Sequence, residues 1–241
     1  MIKILHIARP LAGVGVYISL LAKNLDDRFQ NTIVCNKNDK NIELKDRYGN
    51  ELETYHVDII RNINLVYDIK CFIKIIKIIK KVNPDIIHCH SAKSGILGRI
   101  AGLIMKKKTF YTPHAYSYLS LETKFKMFLF KMIELFFGLF PSFTLACSKS
   151  EYNKAIFDLK INKSKVFLWE NSIEDIKGVK NTKFKDNSFI CSIGRPSYQK
   201  NTLLLVKSIL EIKRNIPDIH LVILGVGFYS PSLVIIEEFI K

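Results

Sequence analysis

The sequence lacks the features that mark secreted, disulfide-bonded and membrane-spanning proteins. Its five cysteines are scattered and odd in number, and none forms a CxxC pair, so reduced cytoplasmic thiols are expected. The N-terminus has no succession of basic, apolar and small residues typical of a signal peptide. Lys or Glu interrupts each apolar run before it reaches the roughly 18–20 residues that a transmembrane helix needs. These absences predict a globular cytoplasmic protein.

Acidic residues are also few. The chain has 22 Asp and Glu against 37 Lys and Arg, which gives a net charge of +15. Such a charge suits a nucleic acid, an anionic membrane or a phosphorylated ligand. Most of the excess is lysine in a sequence rich in Ile and Asn, a composition that an AT-rich coding bias also produces. Because no nucleic-acid-reading motif accompanies the charge, no nucleic-acid partner is expected.

The sequence does contain a regular alternation of apolar strands and helices. Short apolar runs predict strands at 2–7, 31–35, 56–60, 85–90, 110–112, 143–147 and 166–169. Helical spacing of apolar residues predicts helices at 16–25, 67–81, 94–105, 123–140 and 150–159. A hydrophobic fraction of 48% is sufficient for a large core. The alternation predicts an α/β fold with a doubly wound parallel sheet.

A polar segment rich in Lys and Asp interrupts this alternation after residue 171. We interpret 173–187 as a linker between an N-terminal Rossmann-like domain, 1–172, and a second unit, 188–241. The second unit has predicted strands and helices at 189–193, 202–215, 220–224 and from 232 to the end. Two strands and two helices cannot form a sheet of ordinary width, so this Rossmann-like domain is expected to be incomplete.

Two glycines follow the first predicted strand. Gly13 and Gly15 permit close approach of the backbone to a ligand, and the helix behind them offers free N–H groups to anions or sugar hydroxyls. A tight strand-to-helix turn would use the same residues. The full GxGxxG pattern is absent, and no acidic residue ends the second strand to bind an adenine ribose. The spacing alone therefore leaves the turn and the binding loop open.

Histidines lie at the ends of two further strands, where ligands bind in open α/β sheets. Alternation places His88 and His90 on one face of the strand 85–90, and His114 follows the next strand. His114 can donate to a sugar hydroxyl or a substrate carbonyl, or be held by backbone in a turn. Zinc binding with His114 or Cys147 is an alternative for the strand end, but the spacing matches no standard zinc site, and no metal is expected.

The segment after strand 189–193 is the most informative. Arg195 supplies a planar fork suited to phosphate oxygens, and Lys200 supplies a compact charge five residues later. Together they can clamp a diphosphate, whereas two solvated loop cations are the alternative. The position beside Gly194, at the carboxyl end of a strand, favours the diphosphate.

Two predicted helices combine lysines with apolar residues. Lys70, Lys74, Lys77 and Lys81 form one cationic stripe, and the segment 125–133 is strongly apolar with interspersed lysines. Such helices can lie on an anionic membrane leaflet, or they can cover the sheet and expose one solvated face. The solvated face is favoured for the first helix. The density of phenylalanine leaves both interpretations open for the second.

The ordered set of these segments resembles the large family 4 of retaining glycosyltransferases, which have the GT-B fold. The resemblance is nearest to bacterial enzymes that build capsule, exopolysaccharide or O-antigen. No single motif is specific, but the order and spacing of all of them are. The matching segments are Gly13-Val14-Gly15, the strand 85–90, Thr112-Pro113-His114, Ala146-Cys147-Ser148, Asn171-Ser172-Ile173, Gly194-Arg195 with Lys200, and Leu224-Gly225-Val226-Gly227.

The resemblance implies that the N-terminal domain binds the acceptor and the second domain binds a nucleotide sugar, with a UDP-sugar as the expected co-substrate and no other cofactor. It implies that Gly13 and Gly15 lie near the donor phosphates and the acceptor, and that His114 contacts the transferred sugar. Arg195 and Lys200 would hold the diphosphate and stabilise the charge on the departing nucleotide, without a required metal.

Further binding positions are expected at the carboxyl ends of the strands and at the hinge: His90, Ser148, Asn171, Gly194 and Gly225. Ser148 is also placed to cap a helix, which is the favoured interpretation from the residues alone. The hinge segment begins at Asn171 and has Ser where the family pattern has Gly.

The family pattern continues with two spaced glutamates later in the second domain. The sequence ends at Lys241, and the adjacent Glu237 and Glu238 cannot replace that pair. The main expectation is hexosyl or N-acetylhexosaminyl transfer to a lipid-linked glycan, at the inner face of the plasma membrane. The alternative is a catalytically incomplete remnant or subunit of a split enzyme that binds only the acceptor or a partner. A second polypeptide could also complete the donor domain.

Overall fold

The computed structural model describes residues 1–39, 43–60, 62–174, 189–194 and 200–225. The chain divides into two compact units, Met1–Glu174 and Asp175–Lys241. The linker expected at 173–187 lies mostly outside the described residues, as do Arg195 and the helix expected from 232 onward. The domain boundaries of the sequence analysis therefore stay predictions.

The first unit is built on a sheet of parallel strands. They are β1 (Ile2–Ile7), β2 (Phe29–Cys35), β3 (Glu53–His56), β4 (Ile86–His90), β5 (Lys108–Thr112), β6 (Ser142–Ala146) and β7 (Val166–Leu168). Their order across the sheet is β3-β2-β1-β4-β5-β6-β7. The order reverses between β1 and β4, which makes this pair the topological switch point of a doubly wound sheet.

Helices connect these strands and cover the sheet. They are α1 (Gly13–Asn24), α2 (Leu65–Val82), α3 (Ala92–Ile104), α4 (Lys124–Gly138) and α5 (Lys149–Asn153). The described part of the second unit contains β8 (Phe189–Ile193), α6 (Thr202–Ile212) and β9 (His220–Leu224), with β8 and β9 paired in parallel. Crossover helices connect most of these parallel strands, whereas the connection between β2 and β3 contains no helix among the residues described.

The core of the first unit lies on the central strands. Leu5 and Ile7 of β1 and Ile87 and Cys89 of β4 are completely buried. Strands covered by helices on both faces are apolar at nearly every position, which is why the apolar runs identified them. A polar side chain at such a position is therefore an exception that needs a partner.

α3 packs directly against the sheet through glycines on its inner face. A β-carbon on Gly98 would overlap the sulfur of Cys89, and one on Gly102 would overlap the hydroxyl of Thr109. The absence of side chains at these two positions lets the helix axis approach β4 and β5. This close packing fixes the two strands that end at the candidate site.

Several sequence predictions differ from the structure in the type or the bounds of an element. The strand expected at 56–60 is β3 at Glu53–His56. Val57 and Ile59 alternate into the core without extending the ladder, because the Ile59 amide turns back to the Val57 carbonyl. The helix expected at 150–159 is an α-helical turn followed by a π-helical turn at Lys154–Asp158, and α1 begins at Gly13 rather than Val16.

Candidate functional site

Three buried imidazoles lie at the topological switch point. The parallel register pairs His6 of β1 with His88 of β4, and His90 lies two residues further on the same face. The three side chains are at most 4% exposed. The ring centroids of His88 and His90 are 4.0 Å apart, and His6 is 5.3 Å from His88. The sheet therefore places these three imidazoles where open α/β sheets bind ligands.

A hydrogen-bonded chain runs through this cluster from β2 to the end of β6. His6 Nε2 lies 3.1 Å from Asn31 Oδ1, and His6 Nδ1 lies 3.1 Å from His90 Nε2. His90 Nδ1 lies 3.0 Å from His114 Nε2, and His114 Nδ1 faces Cys147 Sγ at 3.8 Å. We call these five residues, Asn31, His6, His90, His114 and Cys147, the histidine chain.

Two further side chains border the histidine chain. His88 Nε2 lies 2.8 Å from the hydroxyl of Thr112, so His88 forms a separate pair beside the chain. The ring of Tyr17, from α1, stands edge-on to His114 with centroids 4.9 Å apart. Burial raises the pKa of Tyr17, so its hydroxyl stays protonated. Tyr17 thereby shields the imidazoles from water without adding charge.

Burial keeps the cluster uncharged. It lowers the pKa of His6 and of His114 to about 4, and it lowers the pKa of His88 and His90 well below the ordinary value. The neighbouring imidazoles oppose protonation of His88 and His90 further. Burial also raises the pKa of the Cys147 thiol to about 12. Neutral imidazoles and a neutral thiol are therefore the state near pH 7.

The carboxylate of Glu151 joins the two loops that carry His114 and Cys147. Its Oε1 accepts the Ala115 amide at 2.5 Å and its Oε2 accepts the Cys147 amide at 2.9 Å. His114 and Ala115 have φ angles of 50° and 75°, a left-handed pair that non-glycine residues adopt at a cost. Glu151 thus holds His114 in a backbone conformation that turns its ring toward His90.

The site residues predicted in the first unit differ in how deeply they are buried. Gly13 and Gly15 lie in the first turn of α1 rather than in a loop before it, and a β-carbon on Gly13 would meet nothing within 4 Å. Packing within the protein therefore does not require a glycine at position 13. His90 is completely buried with both ring nitrogens engaged, so it is placed to hold His114 rather than to contact a ligand.

Ser148 and Asn171 lie beside the same loops. Ser148 is the N-cap of α5, and its hydroxyl accepts the Glu151 amide at 3.2 Å, as the capping interpretation predicts. Asn171 is exposed, and its amide donates to the Cys147 carbonyl at 3.2 Å. A ligand-binding role for either residue stays a prediction.

In the second unit, the expected diphosphate site is described only in part, because Arg195 lies outside the described residues. Gly194 has a φ of 151° and Gly225 a φ of 107°, both favouring glycine. A β-carbon on Gly194 would lie 3.5 Å from Lys200 Cε. The structure therefore brings Lys200 beside Gly194, at the carboxyl end of β8.

Sequence reasoning missed His6, Tyr17, Asn31 and Glu151. His6 carried one signal, because it is a polar side chain inside an otherwise apolar strand. Ser148 and Glu151 have the spacing of a capping box, in which the acid usually returns to its own helix. Here the acid also binds the amide of Ala115, 36 residues away in sequence. No local pattern contains that information.

His6, His88 and His90 are also the residues that could hold a metal ion. Among the ranges described, they offer nitrogen atoms that all lie within 4.8 Å of one another. Three imidazoles suit zinc or copper. The 3.1 Å contact between His6 Nδ1 and His90 Nε2 is, however, also the length of a direct hydrogen bond, which needs no ion.

Comparisons with known proteins identify a family by sequence and a fold by structure. Residues 11–175 match the family model described as Glycosyltransferase Family 4. The chain is 29% identical to the UDP-Gal:alpha-D-GlcNAc-diphosphoundecaprenol alpha-1,3-galactosyltransferase of Escherichia coli, over 94% of this chain and 62% of that protein. It resembles Anabaena HepE, solved with UDP and glucose, with a TM-score of 0.69 and 15% identity over 100% of this chain and 66% of that one.

A putative UDP-N-acetylglucosamine 2-epimerase from Listeria monocytogenes has the same fold. Its TM-score is 0.66, with 15% identity over 99% of this chain and 66% of that one. These likenesses confirm the α/β, GT-B-like fold class expected from the sequence. The chain spans 62% of the length of the Escherichia coli relative.

We predict that acid destabilises the first unit through its buried histidines. The unfolded pKa of 6.5 falls to about 4 in the folded chain for His6 and His114, so the unfolded chain binds more protons between these values. The stabilisation that depends on keeping these two imidazoles neutral is therefore fully present above pH 6.5 and is lost as the pH falls toward 4. Between pH 7 and 5, each of the two residues contributes about 2 kcal/mol to the loss.

Urea unfolding at pH 7 and pH 5 measures this loss. His114→Gln removes one titrating imidazole and should reduce the difference between the two pH values by about 2 kcal/mol. His220→Gln, at an exposed position, is the control and should leave the difference unchanged. A chain whose unfolding free energy is the same at both pH values would show that these imidazoles are not held neutral by burial.

Proposed function

The chain belongs to Glycosyltransferase Family 4, and we propose that it takes part in transferring a sugar from a nucleotide-diphosphate donor to a lipid-linked glycan in bacterial surface polysaccharide synthesis. The observation that carries this proposal is the polar site at the switch point. His88, His90 and His114 of that site lie within the family match of residues 11–175, and His6 precedes it. The name of the Escherichia coli relative supports a UDP-sugar donor and a diphosphoundecaprenol-linked acceptor. The UDP bound to HepE agrees with that donor.

The chemistry of the first unit suits a sugar rather than an anion. The imidazoles of the histidine chain are neutral, and Tyr17 adds an aromatic edge beside His114. Hydroxyl groups both donate and accept hydrogen bonds, so a neutral imidazole can engage them without a charge penalty. His114 is the one member of the histidine chain that is only partly buried, which supports it as the residue that contacts the sugar.

The second unit would bind the donor diphosphate. Arg195 and Lys200 follow β8, and fixed cations at that point would stabilise the negative charge that develops on the departing nucleotide. Gly194 and Gly225 would let the backbone approach the nucleotide closely. In this proposal the reaction retains the anomeric configuration, transfers a hexosyl or N-acetylhexosaminyl group, and draws its electrostatic assistance from the cations, without a required metal.

We predict that Arg195→Ala combined with Lys200→Ala abolishes UDP binding measured by calorimetry, because both diphosphate partners are removed. Lys213→Ala combined with Arg214→Ala is the matched control, since it removes two positive charges at the end of α6 and should leave the affinity unchanged. Equal affinity in the first variant and the parent chain would refute the clamp. A parent chain that binds no UDP would favour the acceptor-only alternative.

We further propose that α4 contacts the anionic inner leaflet. Along this helix, large apolar side chains stand exposed between lysines: Phe125 is 76% exposed and Phe128 is 64% exposed. Lys124, Lys126 and Lys131 provide charge for acidic headgroups. Within the described residues, no helix is both long and apolar enough to cross a membrane. The interfacial mode would place the reaction beside a lipid-linked acceptor.

We predict that Phe125→Ser combined with Phe128→Ser lowers binding to phosphatidylglycerol vesicles at least about tenfold, because two aromatic rings no longer enter the interface. Co-sedimentation measures the change. Phe157→Ser removes a comparably exposed ring outside α4 and serves as the control. Vesicle binding that survives in the double variant, with thermal stability unchanged, would exclude this face of α4 as the membrane contact.

A further inference from the structure

One end of the histidine chain determines where its protons lie. Asn31 presents its Oδ1 to His6 Nε2, and a carbonyl oxygen only accepts. His6 Nε2 must therefore carry a proton, and because the ring is neutral, His6 Nδ1 is bare. A bare nitrogen accepts, so the partner His90 Nε2 must donate across the 3.1 Å contact.

The same reasoning continues to the other end. His90 donates through Nε2, so its Nδ1 is bare and accepts from His114 Nε2 at 3.0 Å. His114 Nδ1 is then bare as well and faces the thiol of Cys147. All three imidazoles of the chain thus have the same tautomer, protonated on Nε2. An additional proton on Nδ1 of His6 or His90 would set two N–H groups against each other.

The last contact of the histidine chain is its weakest. A thiol is a poor donor, and the 3.8 Å distance between Cys147 Sγ and His114 Nδ1 is the longest in the chain. A hydroxyl donor at ordinary distance would form a stronger bond to the same nitrogen. His114 Nε2, in contrast, is committed to His90. The ring nitrogen of His114 that could take a stronger partner is therefore Nδ1, and it is an acceptor.

We infer that the histidine chain makes His114 a fixed hydrogen-bond acceptor, through Nδ1, for a hydroxyl of the bound sugar. Asn31, His6 and His90 are the positioning residues. The inference rests on the proposed contact between His114 and the sugar, and it reverses the donor role that the sequence suggested for this residue. It also specifies the ligand chemistry: a hydroxyl can donate to Nδ1, whereas a phosphate or carboxylate oxygen would meet its lone pair.

Nitrogen NMR of the full chain tests the proton order directly. With ¹⁵N-labelled histidine rings at pH 7, long-range ¹H–¹⁵N spectra distinguish bare from protonated nitrogens in each imidazole. We expect Nε2–H with bare Nδ1 in His6, His90 and His114, assigned by single His→Gln variants. Exposed His56 and His220 are internal references. An Nδ1–H tautomer or an imidazolium at His114 would overturn the inference. So would a metal-bound signal that a chelator removes.

Two variants test the control exerted by Asn31. Asn31→Leu removes the terminal acceptor, and we expect His6 to lose its single tautomer and show a mixture. Thr112→Val removes a hydroxyl beside His88 that contacts no member of the histidine chain, and it should leave the tautomers of that chain intact. Unchanged tautomers in a folded Asn31→Leu protein would refute its positioning role. If that variant does not fold, the parent spectrum still decides the proton order.

The NMR result is independent of the proposed activity. A chain that fails to bind UDP can still show the expected tautomers, in which case only the donor assignment fails. Reversed tautomers in a chain that binds UDP would overturn the acceptor role of His114 and leave the family assignment untouched.

Discussion

The candidate site depends on one buried carboxylate. Glu151 accepts the amides of Ala115 and Cys147, so two loops from neighbouring strands end at a common point. Leaving the buried Cys147 amide unpaired would cost about 1–3 kcal/mol, and the left-handed backbone at His114 is itself strained. That backbone turns the His114 ring back over the sheet. Without Glu151, the histidine chain would lose the residue that we propose faces the sugar.

The sheet positions the remaining histidines of the site. The parallel register of β1 and β4 brings His6 beside His88, and the glycine face of α3 holds β4 and β5 against one helix. Buried imidazoles in such a place are costly unless each finds a partner. They find one another, with Asn31 and Cys147 at the ends of the chain. A neutral array that suits hydroxyl groups is the result.

The sequence predicted this arrangement only in part. Apolar runs identified the strands because both faces of the sheet are covered, and strand ends therefore identified His88, His90 and His114. Apolar alternation misplaced β3, because Val57 and Ile59 enter the core from a loop. The role of Glu151 was not predicted because tertiary structure determines which amides it binds. The tautomers could not be predicted either, since they follow from contacts between side chains of five different strands or the loops after them.

Glu151 fixes the loop of His114 before any ligand binds, and hydrogen exchange of the Ala115 amide is the measurement that tests this. Ala115 is exposed and lies outside every helix and strand, so its amide would ordinarily exchange fast. We expect exchange as slow as that of the buried Cys147 amide, because Glu151 accepts both. Exchange of the Ala115 amide at the rate of an unprotected loop would contradict it.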